Sequence, residues 1–258
     1  MSHTQDIYAI LLTLGFATAA GLVGSFALMK RMVLAGDVIS HVALPGIGVA
    51  LLFHFNPLLG GAISLLLGTL LIAQLQQRTG LATDAMIGVV FAGSLALGAA
   101  ITPQEDLEGA LFGSFAQLSS FGFIVGLIAV LFIIGFIFHS KDQLVLGLFS
   151  SELAAANGVP LDSLNLQFLL IFSLTVLIGL KFMGALLAGA LIMLPAAIGR
   201  RLSSDLKGFL LISSMSSVFA VGMGLLLCAY FGPHIALGPA TTLVAAVLFG
   251  LALLRRVD

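Results

Sequence analysis

The sequence predicts an all-α fold, a polytopic transmembrane helical bundle of eight or nine spans. Three observations predict it. Of the 258 residues, 60% are hydrophobic and only 8% are charged, where a soluble globular domain carries roughly 25% charged residues. The mean hydropathy is +1.21, too apolar for a surface that faces water. The apolar runs are long and continuous and do not alternate with a period of two, which excludes a transmembrane β-barrel. Thirty glycines suit such a bundle, because small residues let helix backbones meet in lipid.

The spans follow in order, each near the ~20 residues that cross a bilayer. Residues 7–29 form the first. This run lacks a basic leading segment and is long enough to span, so it reads as a membrane helix and not as a signal peptide. Residues 34–54 form the second and contain Asp37, His41 and Pro45; 57–76 form the third. The fourth, 84–102, opens in TDAMIG, where Thr83-Asp84 is expected to cap the helix and place an anion at its positive end. The fifth is 120–138 and the sixth 164–182. The seventh, 184–199, is short and carries Pro195, which is expected to bend or break it. The neighbours around Lys181 could be a broken pair, so the total is eight or nine. Residues 208–231 and 236–254 complete the set as a single domain over 1–258.

Basic residues orient these spans. With nine crossings, Lys30, Arg31, Arg78, Lys141, Arg200, Arg201, Lys207, Arg255 and Arg256 all fall on one side, which is the cytoplasm. The N-terminus is then outside. Glu105, Asp106, Glu108 and the loop GPHIALGP (232–239), with His234, fall opposite. Lys181 alone is out of place; the bland reading of it is a side chain snorkelling to the interface. A formal net charge of −1 gives no reason to expect a nucleic-acid partner. The single cysteine, Cys228, excludes a disulfide framework or a thiolate metal cluster.

The longest cytoplasmic connection is about 139–163, and SSELAAANGVP (150–160) within it reads as a short capped helix. Ser150 or Ser151 can cap its start, Glu152 suits the first turn, Asn157-Gly158 can close it, and Pro160 stops it. Two turns of helix are not stable alone in water. The segment either lies against its own membrane domain or docks a cytoplasmic partner. No G-x-x-x-x-G-K-[ST] sequence occurs, so transport against a gradient would draw on an ion gradient or a separate ATPase.

Asp37 and His41 are the leading candidates for chemistry. Four residues apart on a helix, they share one face, and both are good ligands for a divalent metal ion. Ionisable residues inside a membrane are costly and face a pathway or a partner. Gly36, Pro45 and Gly46 bracket the pair with residues that loosen a helix, and broken helices build transporter sites. The bland alternative is an Asp–His hydrogen bond locking two helices. Asp84 is read as a cap first and a pathway residue second. His54 and His139 sit near span ends, where a wet imidazole needs no explanation. His234 and the acidic rim at Glu105, Asp106 and Glu108 could attract an incoming cation or meet an external partner. No nucleophile–base constellation, G-x-S-x-G or H-E-x-x-H appears, which disfavours an intramembrane hydrolase.

With these pieces placed, the chain resembles the membrane permease subunits of ABC importers for zinc and manganese, close to zinc-uptake permeases. The resemblance runs over nearly the whole chain. It rests on GDVISHVALPG (36–46), DAMIGVVFAGSLALG (84–98), DLEGALFGSF (106–115), ELAAANGV (152–159), KFMGALLAGALIMLPAAIGRR (181–201) and GPATTLVAAVLF (238–249) in that order. It implies a transport subunit of the bacterial or archaeal plasma membrane, not an enzyme, with no permanently bound cofactor. Implied partners are a second copy or a paired permease, cytoplasmic ABC ATPase subunits that use ATP, and an extracytoplasmic metal-binding protein. Asp37 and His41 match the polar pair lining the metal path, for Zn2+ or Mn2+ and also Fe2+. Ser151, Glu152, Ala154 and Gly158 match the segment that contacts the ATPase, although Ser150 stands where relatives often carry an acidic residue. The rival from another class is a proton-coupled secondary transporter using Asp37 and His41 as proton carriers; the lack of further carboxylates within the spans argues against it. A scaffold without transport would leave the pair unexplained.

Overall fold

In the computed structural model, residues 2–32, 35–101, 120–183, 185–231 and 236–254 are described. Among them are eleven helices and no strands: α1 Ser2–Met29, α2 Ala35–His41, α3 Leu44–Leu52, α4 Pro57–Thr79, α5 Thr83–Ile101, α6 Ser120–Phe149, α7 Ser151–Ala156, α8 Leu161–Met183, α9 Ala185–Leu202, α10 Leu206–Phe231 and α11 Leu237–Leu254. Eight segments, with Ala35–Leu52 taken as one, are long and apolar enough to cross a membrane. α9 is not among these eight, and the positions of the helix ends show how it runs. Lys30, Gln76, Thr83, Gly147 and Asn165 line one cavity. That cavity gathers the ends of α1, α4 and α6 with the starts of α5 and α8. Arg200, at the end of α9, lines a second cavity with Met29, Arg31 and Phe149. α8 therefore leaves this end of the bundle and α9 returns to it. The basic residues cluster here, so this is the cytoplasmic end.

Local chemistry sets the boundaries. Asn56 caps α4 by accepting from the Leu58 N–H at 2.9 Å, and Gly80 ends it with a left-handed φ of 67°. α1 closes through Arg31 at φ 61°, with the Met32 N–H returning to the Ala27 carbonyl at 2.9 Å. Three expectations change. α6 does not stop at 138 but runs on to Phe149, so nearly half of the 139–163 connection is helix continuous with a span. α5 takes its first turn from the Ala82 carbonyl, which accepts from the Ala85 and Met86 N–H groups at 3.0 and 3.3 Å. Thr83 is thus inside the helix and not its cap, while Asp84 keeps its place at the positive end. Pro195 lies within an unbroken α9. It removes the N–H that would bond the Leu191 carbonyl without ending the helix, because neighbouring helices hold the segment on all sides.

α1 and α9 form the centre. α1 packs on α6, α8, α9 and α10, and α9 packs on α2, α10 and α11. Phe16, Phe26, Phe168 and Phe172 are fully buried among them. Several buried hydroxyls, though not those of Ser213, Ser217 and Thr242, which have no partner among the described residues, are satisfied within their own helices: Thr13 donates to the Ala9 carbonyl at 2.6 Å and Ser25 to that of Gly21 at 2.8 Å. In a medium without water each such group would otherwise be costly. Thr69 and Ser173 bond at 2.5 Å and tie α4 to α8. The outward faces carry exposed leucine, isoleucine and phenylalanine, including Leu66, Leu67, Phe132 and Leu211, as lipid contact demands.

Candidate functional site

α2 and α3 together make one membrane passage that is interrupted in the middle. Val42 and Ala43 form the break, and Pro45, in the first turn of α3, cannot donate to the His41 carbonyl. The free Val42 carbonyl is taken by the Ser64 hydroxyl of α4 at 2.6 Å. The break is thus held open by a neighbouring helix. On the other side, Gly36 of α2 meets Gly189 of α9 backbone to backbone; a methyl group added at Gly36 would lie 3.0 Å from the Gly189 Cα. Only glycine at both positions permits that approach.

This passage presents Asp37 in the first turn of α2 and His41 at its end, one turn or about 6 Å apart along the axis. Asp37 is exposed on the protomer surface and His41 is half-buried. The His41 ring tilts by 55° against Phe91 of α5, with centroids 5.6 Å apart. Its Nδ1 is buried without a hydrogen-bond partner. A buried ring nitrogen without a partner leaves one coordination or hydrogen-bonding position open. Among the described residues no group of three or more His, Cys, Asp or Glu side chains comes together, and within them Asp37 and His41 stand as a pair.

The other expected residues fall elsewhere. Asp84 is exposed in the first turn of α5, about 10 Å along the helix from Phe91, and the structure does not join it to the pair. Glu105, Asp106, Glu108 and His234 lie outside the described residues. Ser150, not Ser151, caps α7, its hydroxyl accepting from the Leu153 N–H at 3.1 Å. Asn157 closes the helix by donating to the Leu153 carbonyl at 2.8 Å, and Gly158 takes a left-handed φ of 71°. Ser151, Glu152 and Gly158 are exposed, as a docking surface needs. Ala154, expected on that surface, is fully buried where α7 rests on α6 and α8. Its methyl anchors the segment. The exposed apolar side chains of Phe149 and Leu153 complete the outward face, and sequence reasoning passed over them because apolar residues are unremarked in so apolar a chain.

Sequence reasoning also missed a polar cluster at the cytoplasmic end. Lys30 donates to Asn165 Oδ1 at 2.5 Å and stands 5.3 Å above the Phe168 ring. Gln76 and Asn165 line two adjoining cavities of about 220 and 390 Å³. The signal was present as uncharged polar residues near the ends of apolar runs. Burial pushes the Lys30 ammonium down to about 8 from 10.5. Between those values the unfolded chain binds more protons than the folded one, so stability rises with pH through the window. The unfolding free energy of the wild type is expected to gain on that of Lys30→Met between pH 7 and 10, by on the order of 2 kcal/mol, and its thermal midpoint to rise accordingly. Parallel pH curves for the two proteins would refute this.

A polytopic all-α bundle with one interrupted passage bearing a polar pair defines the class: a membrane transport protein. The chain belongs to the ABC 3 transport family, whose model matches residues 4–256. It is 27% identical to the high-affinity zinc uptake system membrane protein ZnuB of Haemophilus influenzae, over 90% of each chain. It is 30% identical to the manganese transport system membrane protein MntC of Halalkalibacterium halodurans, over 90% of this chain and 80% of that one. The structure is similar to PsaBC from Streptococcus pneumoniae, with a TM-score of 0.80, 25% identity and coverage of 95% of this chain and 89% of that one. The chain is thus a multi-pass permease of the plasma membrane, as the resemblance implied.

Proposed function

We propose that this chain is the membrane-spanning subunit of an ABC importer that carries a divalent transition metal, zinc or manganese, into the cytoplasm. The observation that carries the reading is the Asp37–His41 pair: a carboxylate on the protomer surface and, one turn away, an imidazole whose buried Nδ1 has no partner. Both relatives named for a cargo transport one of these two metals. Two side chains are too few for zinc, which takes four ligands, or for manganese, which takes more. A two-fold dimer that brings α2 of each copy to the axis supplies two carboxylates and two imidazoles. Such a site binds transiently, because a conducting pathway must release what it holds. An extracytoplasmic binding protein delivers the metal, and cytoplasmic ATPase subunits drive the cycle. The test is uptake of labelled zinc and manganese, in competition, by a deletion strain carrying this permease with its ATPase. Uptake of neither metal would overturn the reading.

In this reading the ATPase docks on the outward face of α7. Glu152→Arg and Leu153→Asp place a reversed or new charge there without touching the buried anchor Ala154. Each is expected to cut metal-stimulated ATP hydrolysis by about tenfold, on the scale of an interface residue worth 1–2 kcal/mol, with membrane insertion unchanged. Full coupled activity in both variants would remove α7 from the interface.

A further inference from the structure

The geometry points to a phospholipid site on the flank of the bundle, where one lipid of the cytoplasmic leaflet sits between α6 and α10. Both helices pack along α1, and between them they leave a groove of about 840 Å³ floored by Thr18 and Leu22 of α1. Its walls are apolar, with Ile134 and Phe138 on one side and Leu210 and Leu211 on the other. Phe138 and Leu211 are 55% and 61% exposed, so the groove opens sideways into the surrounding membrane and not into the protein.

Charge appears only at one end. Lys141 and Asp142 close the α6 wall, and Asp205 and Lys207 close the α10 wall. From Lys141 to Ile134, and from Lys207 to Ser214, the groove runs seven residues along each helix, or about 10 Å. That depth fits within the ~15 Å of one leaflet's hydrocarbon. The volume lies in the upper part of the range of about 300–1,000 Å³ that small-molecule sites occupy. An apolar trough of leaflet depth with a charged lip is the shape of a lipid's tail and head.

The lip also selects the head. Neither lysine has a hydrogen-bond or ion-pair partner among the described residues, although two carboxylates share the rim. Asp205 is engaged otherwise: its carboxylate accepts from the Ser203 hydroxyl and from the Gly208 N–H, both at 3.2 Å, and caps α10. Two lysines are left for a phosphodiester. Asp142, exposed on the same lip, is placed for an ammonium group beside it. The occupant is therefore a phospholipid with a primary amine in its headgroup, of the phosphatidylethanolamine type. A second copy of the chain is the poorer fit, because Asp37 and His41 lie on α2, which packs with α5, α8 and α9 away from this groove.

The test is lipid retention by the purified full-length permease, read by native mass spectrometry after titration with phosphatidylethanolamine or phosphatidylglycerol in detergent. The wild type should hold one phosphatidylethanolamine per chain in preference to phosphatidylglycerol. Lys141→Gln with Lys207→Gln should weaken that binding roughly 30-fold, from about 1 kcal/mol for each lysine near a lipid surface. Both side chains sit on the rim, so the double variant keeps its fold. Asp142→Asn should abolish the preference between the two lipids, and a ten-thousand-fold excess of inorganic phosphate should not displace the lipid. Equal retention by the double variant, equal binding of both lipids by the wild type, or displacement by phosphate would each overturn the assignment. So would crosslinks from a probe at Leu211 that land on a second protein chain and not on lipid.

Discussion

Asp37→Asn is expected to reduce metal uptake at least about 100-fold, the upper scale for damage to a metal site's supporting groups and a lower bound for loss of a ligand. Protein abundance and ATPase assembly should stay near wild type. The substitution preserves shape and removes only the charge that draws a divalent cation. His41→Ala should match it, because it removes a ring nitrogen that is buried without a partner. Removing an unpartnered nitrogen leaves no orphan behind, and loss of the ring's contact with Phe91 is expected to cost only about 1 kcal/mol, so the variant should still fold. Uptake of labelled metal and thermal midpoint, measured together, decide the matter. Normal uptake in both variants, or loss of uptake only through loss of protein, would make the pair a structural feature.

The second large effect lies at Gly189, which bears no chemistry. A methyl group there would fall within 2.6 Å of the Asp37 Cα and against the Gly36 carbonyl carbon. Both are backbone, so no rotamer change relieves the clash and α2 must move off α9. Overpacking of this kind costs about 1–3 kcal/mol. Gly189→Ala should lower both the thermal midpoint and uptake, and Gly189→Leu should leave little folded protein. The contrast with Asp37→Asn is the diagnostic. One variant loses transport with its stability intact, and the other loses both. A Gly189→Ala protein with wild-type stability would mean that α2 and α9 are not in contact as described.

Much of the fold was legible because a membrane leaves few choices. Nine apolar runs had to be helices, and the positions of Lys30, Arg78, Lys141 and Arg200 fixed which ends belong together. The cavities lined by Lys30 and Arg200 now show those ends side by side. The Asp37–His41 pair was legible for the same reason, since charge is conspicuous against such a background. What was not legible depended on tertiary context. Pro195 reads as a bend or a break, yet α9 continues through it without a break, packed between neighbouring helices that the sequence does not reveal. The end of α6 was misplaced because Lys141 and Asp142 signal the membrane boundary, and a helix need not stop there. Ala154 was placed on the docking face because no pattern in six residues says which side of so short a helix is covered.

The continuity of α6 has a mechanical consequence. Thirty residues of unbroken helix make a rod of about 45 Å, longer than the ~30 Å hydrocarbon layer it crosses. At its cytoplasmic tip the joint to α7 is bridged by hydrogen bonds, the Ser150 N–H to the Leu146 carbonyl at 3.1 Å and the Ala154 N–H to the Ser150 carbonyl at 3.0 Å. There is no slack linker at that corner to absorb a displacement. A sideways push on α7 would therefore tilt α6 about its contacts with α1 and α8, and a stiff rod tilted at one end moves the opposite way at the other face of the membrane.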